Sequence, residues 1–288
     1  MKKIGIVPNI HKDKDLETTK ILVKWILEHN GLPFLNEIIA SKIEYPEYGK
    51  DSIEIYKECD CLIVLGGDGT ILNIARQCAP YSTPILGVNL GHLGFLAEVD
   101  SNNIFAAMEK LYNGEYTIDK RMMLEASIIK NDMEIVKFRA LNDIVVTRGV
   151  FPHMVRLEVY VNDQYLDTYL SDGVIISSPT GSTAYSLSAG GPIVYPNLEL
   201  LIITPICPHA LHSRSIIVSS NDKVKLKIAD ENQDIMVTTD GQQGYKLNSR
   251  NLVYIKKSSK YTNLIKIENT NFFDLLRDKL SERNTNIR

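Results

Sequence analysis

The sequence predicts an α/β domain on a parallel sheet, then a mostly antiparallel β domain, with a C-terminal helix packing back on the first. Three observations predict it. Over residues 1–115, short β-branched apolar runs alternate with segments of helical periodicity, the pattern of a parallel sheet covered on both faces. After Gly114 helix signals thin out and strand patterns recur at close spacing, separated by turns such as Asn131-Asp132 and Asn162-Asp163. Near the end, Phe272, Phe273, Leu275, Leu276 and Leu280 return to helical spacing over residues 271–283. The expected domains are therefore residues 1–115 with 265–288, and residues 116–264.

The elements follow in order. Residues 3–10 read as a buried strand. Residues 15–30 read as a helix, with Leu16, Ile21, Leu22, Trp25 and Ile26 at helical spacing and Gly31 as its stop. A strand is expected at 34–39, a helical turn at 52–58, and a strand at 62–65. A helix then runs from Ile71 through Ala79, followed by a strand at 84–88 and a glycine-bearing turn at 89–95. Residues 103–112 look helical. In the second domain strands are expected at 122–129, 134–147, 155–161, 164–170, 173–177, 201–206, 215–218, 223–228, 234–238, 244–247 and 251–255.

Composition narrows the function. The chain has 288 residues, 44% hydrophobic and 23% charged, the balance of a soluble globular protein with a real core. A formal net charge of −3 gives no global electrostatic case for nucleic acid. The opening MKKIGIVPNI lacks the longer apolar region and cleavage site of a signal peptide. No apolar run approaches the roughly 20 residues needed to span a bilayer. Four cysteines, at 59, 61, 78 and 207, are too few and too irregularly spaced for a disulfide framework or a zinc ribbon. Cys59-Asp60-Cys61 reads as strand-edge packing, with a redox pair as the alternative. The expectation is a reduced, cytoplasmic protein with no nucleic-acid or membrane partner.

The chemistry concentrates in two stretches. In the first, Leu62-Ile63-Val64-Leu65 stops at Gly66-Gly67-Asp68-Gly69-Thr70. The glycines allow a sharp turn and close approach of a ligand to the main chain. The N-terminus of the next helix favours phosphate. A carboxylate beside a phosphate makes sense only if it holds a metal or takes a proton, so Asp68 is the candidate reactive group. The second stretch runs from Ser171 to Pro192 and includes Pro179-Thr180-Gly181-Ser182-Thr183-Ala184, with Leu141-Asn142-Asp143 upstream. It crowds hydroxyls and small residues where main chain can meet a polar ligand. A threonine-rich turn with a helix cap is the plainer reading. Neither a Walker A motif nor GxGxxG is present.

Taken together, these motifs resemble the NAD kinases, which transfer a phosphoryl group to the 2′-hydroxyl of the adenosine ribose of NAD. Gly66–Thr70, the Gly91-His92-Leu93-Gly94-Phe95 turn, Asn142-Asp143, Ser171–Pro192, Pro208-His209 and Asp240-Gly241-Gln242 carry the resemblance, from residue 66 to 242. The GGDGT loop is shared with diacylglycerol and related lipid kinases, an alternative that the hydroxyl-rich run of Thr180–Ser188 argues against. A non-catalytic NAD(P)-binding regulator is a further alternative, against which retention of Asp68 speaks.

The resemblance implies roles residue by residue. Asp68 takes the proton from the ribose hydroxyl. Gly66, Gly67 and Gly69 shape the phosphate loop, Gly69 also lying beside the dinucleotide, and Thr70 caps the helix or contacts a phosphate. Phe95, Asn142, Asp143, His153, Asp172, Thr183, Ala184, Tyr185, Ser186, Leu187, Ser188 and Gln242 belong to the dinucleotide site. The plainer reading of Asn142 and Asp143 is strand-entry capping; His153 reads equally as a surface-loop histidine, and His209 reads as structural. The phosphate donor is ATP or polyphosphate, with Mg²⁺ or another divalent cation bound largely by the triphosphate and no dedicated metal ligands in the chain. The resemblance also implies a homodimer or homotetramer through the β domain. Some positions depart from the family pattern. Leu170 stands where many relatives carry a basic residue, and Leu96 where some carry tyrosine. Arg76 is either a phosphate cation or part of a solvated helix face.

Overall fold

The apolar runs that open the chain form a parallel sheet. In the computed structural model, which describes residues 2–91, 94–149, 153–210, 212–229, 235–267 and 271–285, its strands are β1 (Lys3–Pro8), β2 (Leu32–Asn36), β3 (Gly49–Lys50), β4 (Cys61–Gly66), β5 (Ile85–Asn89) and β6 (Val99–Asp100). Their order is β5-β4-β1-β2-β3, with β6 also on β5, and every pairing is parallel. Between the strands run α1 (Glu17–Glu28), α2 (Glu37–Lys42), α3 (Ser52–Glu58), α4 (Asp68–Cys78) and α5 (Ile104–Asn113). Strand side chains alternate between faces. Ile4, Ile6, Ile63, Leu65, Leu86 and Val88 pack on Leu22, Val23 and Ile26 of α1 and on Ile104, Met108 and Leu111 of α5. The opposite face carries α4: a Cβ at Gly87 would stand 2.5 Å from the side chain of Ile71.

The chain divides into two compact units, Met1–Lys120 with Asn263–Arg288, and Arg121–Thr262. The second unit is built from β7 (Thr117–Lys130, from Arg121 on), β8 (Met133–Ala140), β9 (Asp143–Arg148), β10 (Val155–Val161), β11 (Gln164–Ser171), β12 (Gly173–Ser177), the short α6 (Tyr185–Ser188), β13 (Leu200–Ile206), β14 (Ile216–Ser219), β15 (Val224–Ile228), β16 (Ile235–Thr239), β17 (Gln243–Leu247) and β18 (Asn251–Lys266, up to Thr262). One antiparallel sheet has the order β14-β13-β12-β9-β16-β17. The other strands run β11-β10-β15-β18, with β7 on β18 and β8 on β7. Leu124, Ile144, Val146, Leu157, Val174, Ile176, Leu226 and Val253 form the core between the two sets. Val145 and Ile175, on the other face of the β9-β12 pair, join Ile206 and Ala189 in a separate small cluster. That outer face is where the 180–191 segment lies.

The chain re-enters the first unit at Asn263, where Leu264 pairs in parallel with Ile85 and Lys266 Nζ meets Glu98 Oε2 at 2.5 Å. Helix α7 (Phe272–Thr285) follows, with Phe272, Leu275 and Leu276 half-buried. Among the described residues no helix is long and apolar enough to cross a membrane.

Several elements differ from expectation, four of them for a physical reason that the contacts show. The strand at 34–39 ends at Asn36, whose side chain accepts from Ile38 N at 3.1 Å and caps α2 instead. Helix α4 starts at Asp68, three residues early, with Gly67 at its N-cap. The expected strand 134–147 is two strands, because the Asp240 carboxylate takes the N–H groups of Leu141, Asn142 and Asp143 out of the ladder. The expected strand 251–255 runs on to Lys266. The Lys-Ser run that hid its continuation finds partners: Lys257 pairs with Glu199, and Lys256 lies 3.6 Å from Glu125.

Candidate functional site

In the first unit, the fully buried β4 ends at Gly66 and α4 begins two residues on. Asp68 therefore stands in the first turn of a helix, at the carboxyl end of a parallel strand, where ligands of such sheets collect. The Asp68 side chain is fixed rather than free: Oδ2 accepts from Phe95 N at 2.8 Å and Oδ1 from Leu96 N at 3.1 Å. Phe95 ends the second glycine turn and Leu96 follows it; His92 and Leu93 of that turn lie outside the described residues. Gly94 presses on the carboxylate, since a Cβ there would meet both of its oxygens. Thr70 Oγ1 accepts from Asn9 Nδ2 at 2.9 Å, and Asn9 N donates to Leu65 O at 2.7 Å, so the end of β1 is tied to the loop. Lys12 follows from that end, and its ammonium lies 2.8 Å from where a Cβ on Gly67 would be. Asn89 sits level with Gly66 in the sheet, 0% exposed, with neither amide atom hydrogen-bonded.

In the second unit, Asn142 and Asp143 lie at the break before β9. Asp240, at φ 50° in the turn after β16, accepts from Leu141 N at 3.1 Å, Asn142 N at 2.8 Å and Asp143 N at 3.2 Å. The Asn142 carbonyl accepts from Ser178 N at 2.8 Å and from Ser177 Oγ at 3.3 Å. Gly181 packs against that same carbonyl. The Asn142-Asp143 corner, the DGQ turn and the PTGSTA segment are thus one construction. Asp143 is 4% exposed; burial, and then the charge of Asp240, pushes its carboxyl up to about 7. Tyr185, 47% exposed, stands within electrostatic range of Asp143, Asp172 and Arg148.

The remaining expected residues are distributed as follows. Asp172 is paired with Arg148, Nε to Oδ1 at 2.8 Å. Thr183 is buried and its hydroxyl donates to Thr180 O at 3.3 Å. Ala184 and Leu187 are half-buried, and Ser188 is exposed. Ser186 is 0% exposed with its hydroxyl 3.2 Å from that of Thr204, a position inside the core of the segment. Gln242 lies in the exposed turn that Asp240 opens. His153 is exposed in coil, and Phe151 and Pro152 before it lie outside the described residues. Arg76 is 7% exposed, which removes the solvated-face reading, and its Nη2 donates to Asn73 Oδ1 at 3.2 Å.

Sequence reasoning missed four contributors. Lys12 and Asn9 belong to a polar run, Asn9-Ile10-His11-Lys12-Asp13, directly after an apolar strand, and that placement was the available signal. Arg148 closes β9 and supplies a cation to Asp172, the residue two positions after Leu170. The structural role of Asp240 had no local signal, since its partners are 97–99 residues away.

Comparison with known proteins identifies the family. Residues 4–116 match the family model of the ATP-NAD kinase N-terminal domain, and residues 141–267 that of the ATP-NAD kinase C-terminal domain. The NAD kinase of Thermoanaerobacter sp. (strain X514) is 69% identical over 98% of this chain and 100% of its own length. That of Natranaerobius thermophilus is 44% identical over 98% of each. Among solved structures, yeast NADH kinase complexed with NADH superposes with a TM-score of 0.87 at 26% identity, covering 96% of this chain and 86% of its own. An NAD kinase from Archaeoglobus fulgidus in complex with ATP gives 0.75 at 25% identity, over 97% of this chain and 98% of its own. With two family models together spanning most of its length and relatives this similar end to end, the chain belongs to the NAD kinase family.

Proposed function

We propose that this NAD kinase uses Asp68 as the general base in the transfer of a phosphoryl group from ATP or polyphosphate to the 2′-hydroxyl of the adenosine ribose of NAD. One observation carries the reading: a carboxylate set in a glycine loop at a helix N-terminus, oriented by two main-chain N–H groups. An alcohol is a poor nucleophile at neutral pH, and a carboxylate in hydrogen-bond reach gives its proton a destination. The ribose oxygen bonds to the terminal phosphorus while the bond from that phosphorus to its bridging oxygen breaks. The proton passes to Asp68 and ADP, or the shortened polyphosphate, leaves. Phosphoryl transfer depends mainly on alignment and charge neutralisation, which the loop main chain around Gly66, Gly67, Gly69 and Thr70 supplies.

The dinucleotide is assigned to the second unit. Asn142, Asp143, Thr183, Ala184 and Gln242 belong to the segments joined around Asp240, and Asp172, Tyr185, Ser188, His153 and Phe95 are added to the set by resemblance. Ser186 and Leu187 support the segment. Among the described residues no three His, Cys, Asp or Glu side chains gather as a metal cluster. A divalent cation would be held chiefly by the nucleotide phosphates, whose charge it screens, because Mg²⁺ keeps much of its water and needs few protein ligands. We place the enzyme in the cytoplasm, in keeping with its free thiols at Cys59, Cys61, Cys78 and Cys207. We also assign it a homo-oligomeric state through the β-rich unit; Ile217 on the edge strand β14 is 50% exposed. Light scattering that finds only monomers at working concentration would overturn that assignment.

The test of the function is to incubate the pure protein with NAD, ATP and Mg²⁺ and assay NADP⁺. Formation of NADP⁺ is expected, and none from folded protein overturns the reading. The Asp68→Asn variant should lose about 10²–10⁴ in kcat with its fold intact. Near-normal turnover in that variant removes Asp68 from the base role.

A further inference from the structure

We infer that Lys12 is a catalytic residue of this enzyme, its ammonium contacting the transferring phosphate of the donor above Gly67. The inference rests on the reading of the GGDGT loop as the donor-phosphate site and goes beyond it by naming the cation that serves that loop.

Three observations carry it. Lys12 Nζ lies 2.8 Å from the position a Cβ on Gly67 would take, and among the described residues it is the one heavy atom within 4 Å of that position outside the neighbouring residues. The ammonium thus fills the space left by the missing side chain, over the main chain that leads into α4. Its backbone is held on both sides. Lys12 N donates to Asn9 O at 2.9 Å, and Asn9 is itself bonded to Thr70 of the loop. On the other side Asp13, 3% exposed, accepts from Thr18 N and Thr19 N, both at 3.0 Å, which anchors the turn to α1. Finally, the ammonium has no ion pair or hydrogen bond among the described residues, while the carboxylate of Asp68 is taken up by Phe95 N and Leu96 N.

A lysine with a fixed backbone and an unpaired head would ordinarily point away from the positive end of a helix, because like charges repel. Here it stands beside the N-cap of α4, where no side chain caps the helix. Two positive elements side by side form a site for a multiply charged anion, and a polyphosphate chain supplies one. The Lys12 ammonium acts electrostatically: it stabilises the charge on the phosphate oxygens as the bond to the ribose forms and the bond to the leaving phosphate breaks, while the ribose proton goes to Asp68.

The test compares Lys12→Gln, Lys12→Arg and Gly69→Val with wild type. Lys12→Gln should lower kcat/KM for ATP by about 10–10²-fold, leave KM for NAD within twofold, and weaken inhibition by inorganic tripolyphosphate to a similar extent while leaving inhibition by adenosine unchanged. Lys12→Arg should recover part of the loss. Gly69→Val, which crowds the loop, should lose ATP use irrespective of Lys12. Wild-type ATP and tripolyphosphate parameters in Lys12→Gln, beside a Gly69→Val enzyme that has lost ATP, overturn the Lys12 inference and leave the loop reading standing. Unchanged ATP parameters in both variants overturn both readings. A defect in Lys12→Gln that falls equally on NAD and ATP also overturns the inference, since it marks a merely structural residue.

Discussion

Gly94 and the carboxylate of Asp68 are packed so closely that residue 94 has no room for a side chain: an ideal Cβ there would lie well under 3 Å from both oxygens. The two N–H groups that hold the carboxylate come from the next two residues, Phe95 and Leu96. Gly94 therefore sets the distance between the reactive group and the turn that orients it.

Gly94→Ala should move the carboxylate off both donors and cost about 10–10²-fold in kcat, since sub-ångström placement of a base is worth that much. The loss should appear in kcat, with KM for ATP nearly unchanged, because the phosphate loop itself is untouched. A steady-state assay at saturating NAD measures it, and a wild-type kcat would show that the carboxylate works from another position.

Removing the Asp240 clamp is a different kind of damage. Asp240→Asn keeps an acceptor for Asn142 and Asp143, but when its amide nitrogen faces Leu141 N it sets donor against donor. An unsatisfied main-chain donor costs about 1–3 kcal/mol. At φ 50° asparagine is tolerated, so strain adds little. Urea denaturation at pH 5, where Asp143 is mainly neutral, should show the loss in full. At pH 8 it should be smaller, because deleting the Asp240 charge relieves the ionised Asp143. A penalty that grows with pH would contradict the repulsion between these two carboxylates.

The different reach of these interactions explains what could be read from the chain. The GGDGT loop was legible because an apolar run of strand length stops at glycines, a signal confined to nine consecutive residues from Leu62 to Thr70. The strand break at Leu141-Asn142 was not, since it depends on a carboxylate about a hundred residues later. Strand β18 continues through Lys256, Lys257, Ser258, Ser259 and Lys260, a run that resembles a loop until cross-strand partners such as Glu125 and Glu199 are in place. Ser186 looked like one more pocket hydroxyl, yet local periodicity cannot tell a hydroxyl facing a ligand from one that meets Thr204 in the core.

Thiol reactivity should separate the four cysteines cleanly. Cys59, Cys61 and Cys78 are buried, and burial pushes the thiols of Cys59 and Cys78 up to about 12 and that of Cys61 higher still. Cys207 is exposed. A disulfide reagent should therefore titrate one thiol rapidly in the native protein and the other three only on unfolding. Rapid loss of two thiols, with a disulfide between residues 59 and 61, would instead support a redox pair there.

The buried Asp143 makes stability depend on pH in a direction opposite to that of most carboxylates. Its carboxyl titrates at about 7 in the folded protein, against 3.8 for the free side chain, so the folded state binds the proton more tightly than the unfolded state does. The contribution is fully present below pH 3.8 and is lost as pH rises through about 7. Over that window it amounts to at most on the order of 4 kcal/mol, at 1.4 kcal/mol per pKa unit. Asp143→Asn removes the titration while keeping the shape. Urea unfolding of wild type and variant, measured from pH 5 to pH 8, should therefore show the variant gaining relative stability as pH rises, with most of the gain between pH 5 and 7. Parallel curves for the two proteins would mean that the Asp143 carboxyl is already ionised at pH 5 and that the Asp240 charge is neutralised by some other group.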